Sequence, residues 1–203
     1  MTGHAASGRT PNPALHHVNL KTGRLDEMIA WYGEVVGLSV VYRFSGGAWL
    51  TNDGANHRLA LLASPALSDD ADKLVHNGLH HTGFELGALD QLIETYERLK
   101  ALGITPHFCV NHGMTTSFYY ADPDGNSVEL QVDNFGSWDR STEFMRSDPR
   151  FDADPIGALV DPDQIAAALR AGVGAEEIHE RGYAGEMLPR YPMDPRVPVG
   201  GDA

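Results

Sequence analysis

Hydrophobic and polar positions recur in two different periods along this chain, and the order in which the periods change predicts its elements. Leu25, Met28, Ile29, Tyr32 and Val36 repeat at the three-, four- and seven-residue spacing of an amphipathic helix, and Leu89, Leu92, Ile93, Tyr96 and Leu99 do so again. Each helix follows a short strand-like run, Ala14–Leu20 or Gly78–Leu86, and ends at a glycine, Gly37 or Gly103. Beyond the first helix Leu38–Phe44, Ala48–Thr51 and His57–Ala63 read as strands; beyond the second, Ile104–Val110, Thr115–Ala121 and Asn126–Val132 do. Both halves are therefore βαβββ, an internal repeat of roughly 65 residues.

The last two strands carry the clearest local chemistry. Asp122-Pro123-Asp124-Gly125-Asn126 is turn sequence, because Pro presets φ, Gly accepts a positive φ and Asn tolerates the left-handed region. A hairpin folded symmetrically about Asp124 sets Tyr119 opposite Glu129, with Cβ atoms roughly 4.5–5.5 Å apart. Ser127, Glu129 and Gln131 then share a polar face while Val128, Leu130 and Val132 face a core. The first strand of each half carries a histidine pair, His16-His17 and His80-His81.

The doubled βαβββ unit, with His on the first strand of each half and Glu on the last strand of the second, resembles the vicinal oxygen chelate superfamily. Within it, the run from His112 through Phe118-Tyr119 and Asp122-Pro123-Asp124-Gly125 to Glu129 resembles the signature of the type I extradiol ring-cleaving dioxygenases, over about residues 14–134. The resemblance implies an α+β fold in which two βαβββ modules, 14–63 and 79–132, form one metal-binding half-barrel domain. It implies His17, His81 and Glu129 as metal ligands, and His112, Tyr119 and His57 as catalytic groups, with His76 the rival for the place of His57. It further implies Fe(II), with Mn(II) as an acceptable substitute, O2 as co-substrate, and a catechol-type aromatic diol as substrate, cleaved beside the diol in aromatic hydrocarbon catabolism. In that scheme His57 assists deprotonation of the diol, and His112 with Tyr119 supplies a proton during ring opening.

Coordination chemistry points the same way. Two imidazoles and a carboxylate with open positions form the facial triad suited to non-haem Fe(II), whereas a closed structural zinc would want a fourth protein ligand. Strand alternation puts His17 with Asn19, and His81 with Gly83 and Glu85, on the less apolar faces, so the second His of each pair is the expected ligand. His16 and His80 are expected as core or supporting residues beside Val18, Phe84 and Leu86; Tyr120 and Cys109 as core, and Glu85 as a solvated carboxylate. Two rival functions are a metal-dependent glyoxalase-type isomerase or lyase, which often recruits a second Glu that Leu59–Ala63 does not offer, and a small-molecule-binding resistance protein, which needs no triad.

Whole-chain properties narrow the setting. With 203 residues, 42% of them hydrophobic, one substantial core is expected, and 15 basic against 28 acidic residues speak against nucleic acid and anionic membranes as partners. The single cysteine, the lack of a membrane-length apolar run and a polar start suggest a cytoplasmic enzyme, expected as a homo-oligomer. Residues 1–13 are expected as a flexible arm and 135–203 as an extension with short helices at Ser141–Arg146, Asp161–Leu169 and Ala175–Arg181. Phe135, Trp138, Phe144 and Phe151 are expected at the seam where it docks. Truncation after Asn134 is expected to be harmful, and loss of Pro192–Ala203, Pro- and Gly-rich, to be tolerated.

Overall fold

A computed structural model of the chain describes residues 12–198, so the expected flexible arm lies outside the described residues except for its last two positions. The first module runs β1 (Val18–Thr22), α1 (Leu25–Val36), β2 (Ser39–Phe44), β3 (Gly47–Thr51) and β4 (Leu59–Ala63). The second runs β5 (His81–Leu86), α2 (Leu89–Ala101), β6 (Phe108–Asn111), β7 (Thr115–Ala121) and β8 (Ser127–Asp133). After it come α3 (Trp138–Ser147), α4 (Pro149–Ala153), β9 (Ala158–Leu159), α5 (Pro162–Arg170) and α6 (Ala175–Tyr183). The α+β class and the doubled βαβββ order are as the periodicity predicts.

The modules form two mixed sheets, ordered β1-β4-β3-β2 and β5-β8-β7-β6-β9, with the first strand of each module parallel to its last. Several strands start later than the apolar runs suggest. The β1–β4 ladder opens where the Val18 amide donates to Arg58 O, leaving His17 and His57 just outside it. In the second module Pro106 has no amide to donate, and β6 starts only at Phe108.

Local chemistry fixes the ends that matter to the site. Gly37, at φ +74°, stops α1 in the left-handed conformation, and the amide of Leu38 donates to Tyr32 O. At the β7–β8 tip, Asp122 Oδ1 accepts from the amides of Asp124 and Asn126 while Gly125 takes φ +74°. The first module and the segment that follows it then clasp this tip: Tyr32 donates to Asp122 Oδ2 at 3.1 Å, Arg24 to Pro123 O at 2.6 Å, and, from between the modules, Lys73 to Asn126 Oδ1 at 2.6 Å. One apolar cluster joins Met28, Tyr32, Leu50, Leu59 and Leu61 to Val128 of β8, so the strand carrying Glu129 is gripped by both modules.

The extension belongs to the same core as the second module. Val160, Ile165, Ile178 and Met187 are buried together with Leu92, Phe118 and Leu130. At about 1.5–3 kcal/mol for each fully buried side chain, these four contribute up to about 6–12 kcal/mol, comparable to the whole stability of a typical domain. Two elements that carry no periodic signal, α4 and β9, complete the extension, and β9 adds an antiparallel strand to the free edge of β6. Phe135, Phe144 and Phe151 pack on one another at the seam, while Trp138 is exposed and donates its indole N–H to Glu85, an exposed carboxylate as expected.

The chain's end departs from expectation. Met193 Sδ accepts from the Cys109 amide, the Asp194 amide donates to His107 O, and Arg196 donates to Gly125 O at 3.1 Å. Over its described residues, 192–198, the Pro- and Gly-rich composition that reads as a dispensable tail is an irregular segment docked by side-chain and backbone contacts.

Candidate metal centre

The β7–β8 register pairs Tyr119 directly with Glu129, and the parallel β5–β8 register pairs Glu129 with Gly83. Glu129 is 6% exposed and Tyr119 4%, so a carboxylate and a phenol are held out of water at the centre of a sheet. The Tyr119 hydroxyl donates to Glu129 Oε1 at 2.8 Å, and His81 Nε2 lies 3.2 Å from Oε2. Gly83 makes room for this: a Cβ built on it would meet Glu129 Oε2 at 2.9 Å. Burial pulls the Glu129 carboxyl up, but hydrogen bonds from His81, Ser117 and Tyr119 outweigh it and hold the group below its ordinary pKa. Burial, and then the neighbouring Glu129, push the Tyr119 phenol well up, so it keeps its proton.

His112 continues the chain. It follows β6 in a tight turn closed by its amide donating to Thr115 O, with Gly113 at φ +85°. Its Nε2 lies 3.0 Å from the Tyr119 hydroxyl and its Nδ1 2.6 Å from Ile156 O. A carbonyl oxygen only accepts, so Nδ1 carries the proton and, in the neutral ring, Nε2 presents a lone pair to Tyr119. Burial lowers the His112 pKa, opposed by the Ile156 carbonyl and the Glu129 charge.

His17 sits in a different cluster. His16, His17 and His57 have donor atoms within 4.8 Å of one another, and among the described residues no such group gathers His17 with His81 and Glu129. The His17 and His57 rings are 4.4 Å apart, and His57 stacks on Trp49 at 5.6 Å. Burial, followed by the charges of His17 and His16, lowers the His57 pKa. His76, the rival, belongs to a separate exposed group with Asp70 and Asp72 and bonds Asp70 at 2.8 Å. The structure thus brings His81, Glu129, Tyr119 and His112 together in one line of close polar contacts and places His57 rather than His76 beside His17.

Of the two places expected for His16 and His80, the structure shows the supporting one: both are exposed rather than core, because each precedes its strand. Each lies against the Nδ1 of the following histidine through its own Nδ1, at 3.1 Å for His16–His17 and 2.7 Å for His80–His81. Tyr120 and Cys109 are fully buried, as alternation predicts. The residues that sequence reasoning misses are Gly83, whose only sign is a glycine two places after a candidate ligand, and the carbonyls of Ile156 and Pro195, which have no sequence signal.

The second of these carbonyls bears on whether the residues fit a metal ion. Pro195 O lies 3.0 Å from His80 Nε2, which must therefore carry the proton. His80 Nδ1 lies 2.7 Å from His81 Nδ1 and so helps to hold that ring with Nε2 turned towards Glu129 Oε2, 3.2 Å away. A ring nitrogen and a carboxylate oxygen this close suit a cation in place of the proton they share. Imidazole with carboxylate fits a divalent first-row ion such as Fe(II) or Mn(II).

A Rhodococcus globerulus protein named biphenyl-2,3-diol 1,2-dioxygenase 2 is 40% identical over 183 residues, covering 90% of this chain and 95% of that protein. A second from the same organism, biphenyl-2,3-diol 1,2-dioxygenase 3, is 41% identical, covering 86% of this chain and 92% of that protein. Among solved structures, a genomically encoded fosfomycin resistance protein from Listeria monocytogenes superposes with a TM-score of 0.50 at 20% identity, over 64% of this chain and 99% of that one, a likeness of fold alone. The profile of the Glyoxalase/Bleomycin resistance protein/Dioxygenase superfamily matches residues 14–130, and the chain belongs to that superfamily.

Proposed function

We propose that the chain is an Fe(II)-dependent extradiol dioxygenase that opens the ring of a biphenyl-type or other catechol beside its diol, with O2 as co-substrate. The observation that carries this reading is the line of contacts His81–Glu129–Tyr119–His112, built on a buried carboxylate and phenol, in which a carboxylate with a neighbouring imidazole adjoins a ready acid–base pair. The similarity to two biphenyl-2,3-diol dioxygenases over most of both lengths supports it. His81, Glu129 and His17 would hold the ion, with Mn(II) as a substitute. When bound, the iron would supply open positions for the two diol oxygens and for O2, together with the electron chemistry.

The protein's own groups do the rest. Tyr119 has one proton and two acceptors, Glu129 Oε1 and His112 Nε2, so it is placed to pass that proton towards whichever partner the reaction leaves more basic. Neutral His112 can take a proton at Nε2 and return it to the product. His57, held below its ordinary pKa, is a base for the incoming diol, with Trp49 alongside as a flat wall. Burial of Glu129 and Tyr119 keeps bulk water from this exchange.

A glyoxalase-type reaction is disfavoured by a specific position. In the first module the residue corresponding to Glu129 is Ala60, paired with Asn19 as Glu129 is with Gly83, so no second carboxylate is available there. We further propose a cytoplasmic homo-oligomer without nucleic-acid or membrane partners. The acidic balance supports the last point, no helix of the described residues is long and apolar enough to cross a membrane, and light scattering tests the oligomer. Metal analysis tests the ligand set: His17→Ala, His81→Ala and Glu129→Ala should each lose iron while remaining folded. Full iron occupancy in Glu129→Ala would contradict the assignment.

A further inference from the structure

We propose that the C-terminal extension is part of the catalytic apparatus, with the backbone carbonyl of Ile156 acting as a positioning group that fixes the tautomer and orientation of His112. The inference rests on reading His112 as the acid–base group, and deepens it by naming what holds that group ready.

The geometry is built from several independent pieces. Ile156 lies 44 residues beyond His112 in sequence, yet its oxygen stands 2.6 Å from Nδ1. Immediately after it, Gly157 takes φ +84°, and a Cβ there would lie 2.1 Å from Asn111 O and 3.0 Å from His112 Cα. Only a glycine lets the two backbones pass this closely, and the closeness is what brings the Ile156 carbonyl onto the ring. The turn is held from behind by Asp154 Oδ1, which accepts from the Ile156 amide at 3.0 Å and the Gly157 amide at 3.1 Å. It is held in front by β9, whose Ala158 and Leu159 pair with Asn111 and Val110 of β6. The strand end before His112 is also tied to the extension, since the Asn111 side chain donates to His179 O at 3.0 Å.

The chemical consequence follows from counting protons. With Nδ1–H committed to a carbonyl that can only accept, neutral His112 must offer its lone pair at Nε2, 3.0 Å from the Tyr119 hydroxyl. The opposite tautomer would put an N–H where the phenol must hand over its proton, and would leave Nδ1 facing the Ile156 carbonyl, acceptor against acceptor. A ring free to rotate would spend part of its time misaligned. The Ile156 carbonyl therefore acts on turnover through His112 and has no direct part in diol or metal binding.

The test compares metal-loaded wild type with Gly157→Ala, Asp154→Ala and Asp154→Asn. Long-range proton–nitrogen correlation spectra of the zinc-loaded, isotope-labelled proteins read the His112 tautomer without substrate. Wild type should show His112 as the Nδ1–H form; an Nε2–H form overturns the proposal. Gly157→Ala should lose that preference and lower kcat by about 10–100-fold, the usual effect of removing a partner that orients an active-site imidazole, with KM and metal content unchanged. If Gly157→Ala does not fold, Asp154→Ala decides: it should lower kcat in the same way, and Asp154→Asn, which keeps an acceptor, should restore it. A folded Gly157→Ala or Asp154→Ala protein with wild-type kcat overturns the proposal. A wild type with Nδ1–H His112 that turns over no catechol would instead contradict the dioxygenase reading while supporting the positioning.

Discussion

Gly83 offers a way to disturb the proposed metal centre without touching a proposed ligand. A methyl group at this position would stand 2.9 Å from Glu129 Oε2, where ordinary contact begins near 3.4 Å, so the carboxylate must move by roughly 0.5 Å. That carboxylate has little freedom: Tyr119 holds one oxygen at 2.8 Å and His81 faces the other at 3.2 Å. A shift of this size is enough to spoil a ligand geometry, and Gly83→Ala should weaken metal binding by about 10–100-fold, or about 1.4–2.7 kcal/mol. Fold stability should change little. Gly83 lies within β5 and is not among the positive-φ glycines, so alanine fits its backbone, and the gain of about 0.4–1 kcal/mol from restricting the unfolded chain offsets the cost of shifting the carboxylate. The expected signature is weaker Mn(II) binding in competition with a chelator, and an unchanged or slightly raised Tm for the metal-free protein. Wild-type affinity in a folded Gly83→Ala protein would refute the reasoning, and so would lost affinity accompanied by a collapse in Tm.

Other variants separate the parts of the site and scaffold. His112→Phe should keep its metal while slowing turnover by about 10²–10⁴-fold, and combining it with Tyr119→Phe should cost less than the product of the two, as steady-state kinetics on all three variants would register. Tyr32→Phe leaves buried Asp122 without the 3.1 Å hydrogen bond from the phenol and should cost about 1–3 kcal/mol in denaturant unfolding; a loss below the error of the fit would remove the clasp from the account. Removing residues 193–203 takes away the contacts to Cys109, His107, His80 and Gly125, and should lower Tm by several degrees and weaken metal binding, which calorimetry and chelator competition would detect.

What was legible in the sequence was whatever depended on local chemistry or on period. The Asp-Pro-Asp-Gly-Asn tip and the alternation on either side of it set the Tyr119–Glu129 register, because a hairpin with a fixed turn has only one pairing that buries Val128, Leu130 and Val132. The two helices announced themselves by spacing, and the repeat by their similarity. What was not legible depended on backbone atoms meeting across long separations. Ile156 O and Pro195 O act on histidines 44 and 115 residues away, and a carbonyl oxygen is the same in every residue. The β9 strand is too short to carry a period, and the segment around Met193–Arg196 gains its order from hydrogen bonds that its composition does not reveal. That His16 and His80 support the next histidine rather than join the core has a simpler cause: an apolar run shows where a strand is allowed, while the partner strand decides where its ladder starts.

Oxygen uptake tests the central claim most directly. Wild-type protein reconstituted anaerobically with Fe(II), mixed with biphenyl-2,3-diol or a monocyclic catechol and then given O2, should consume one O2 for each diol lost and form a yellow ring-fission product, while Glu129→Ala should do neither. Iron-loaded, folded wild type that consumes no O2 across a panel of catechols, or that consumes it without opening the ring, would contradict the account.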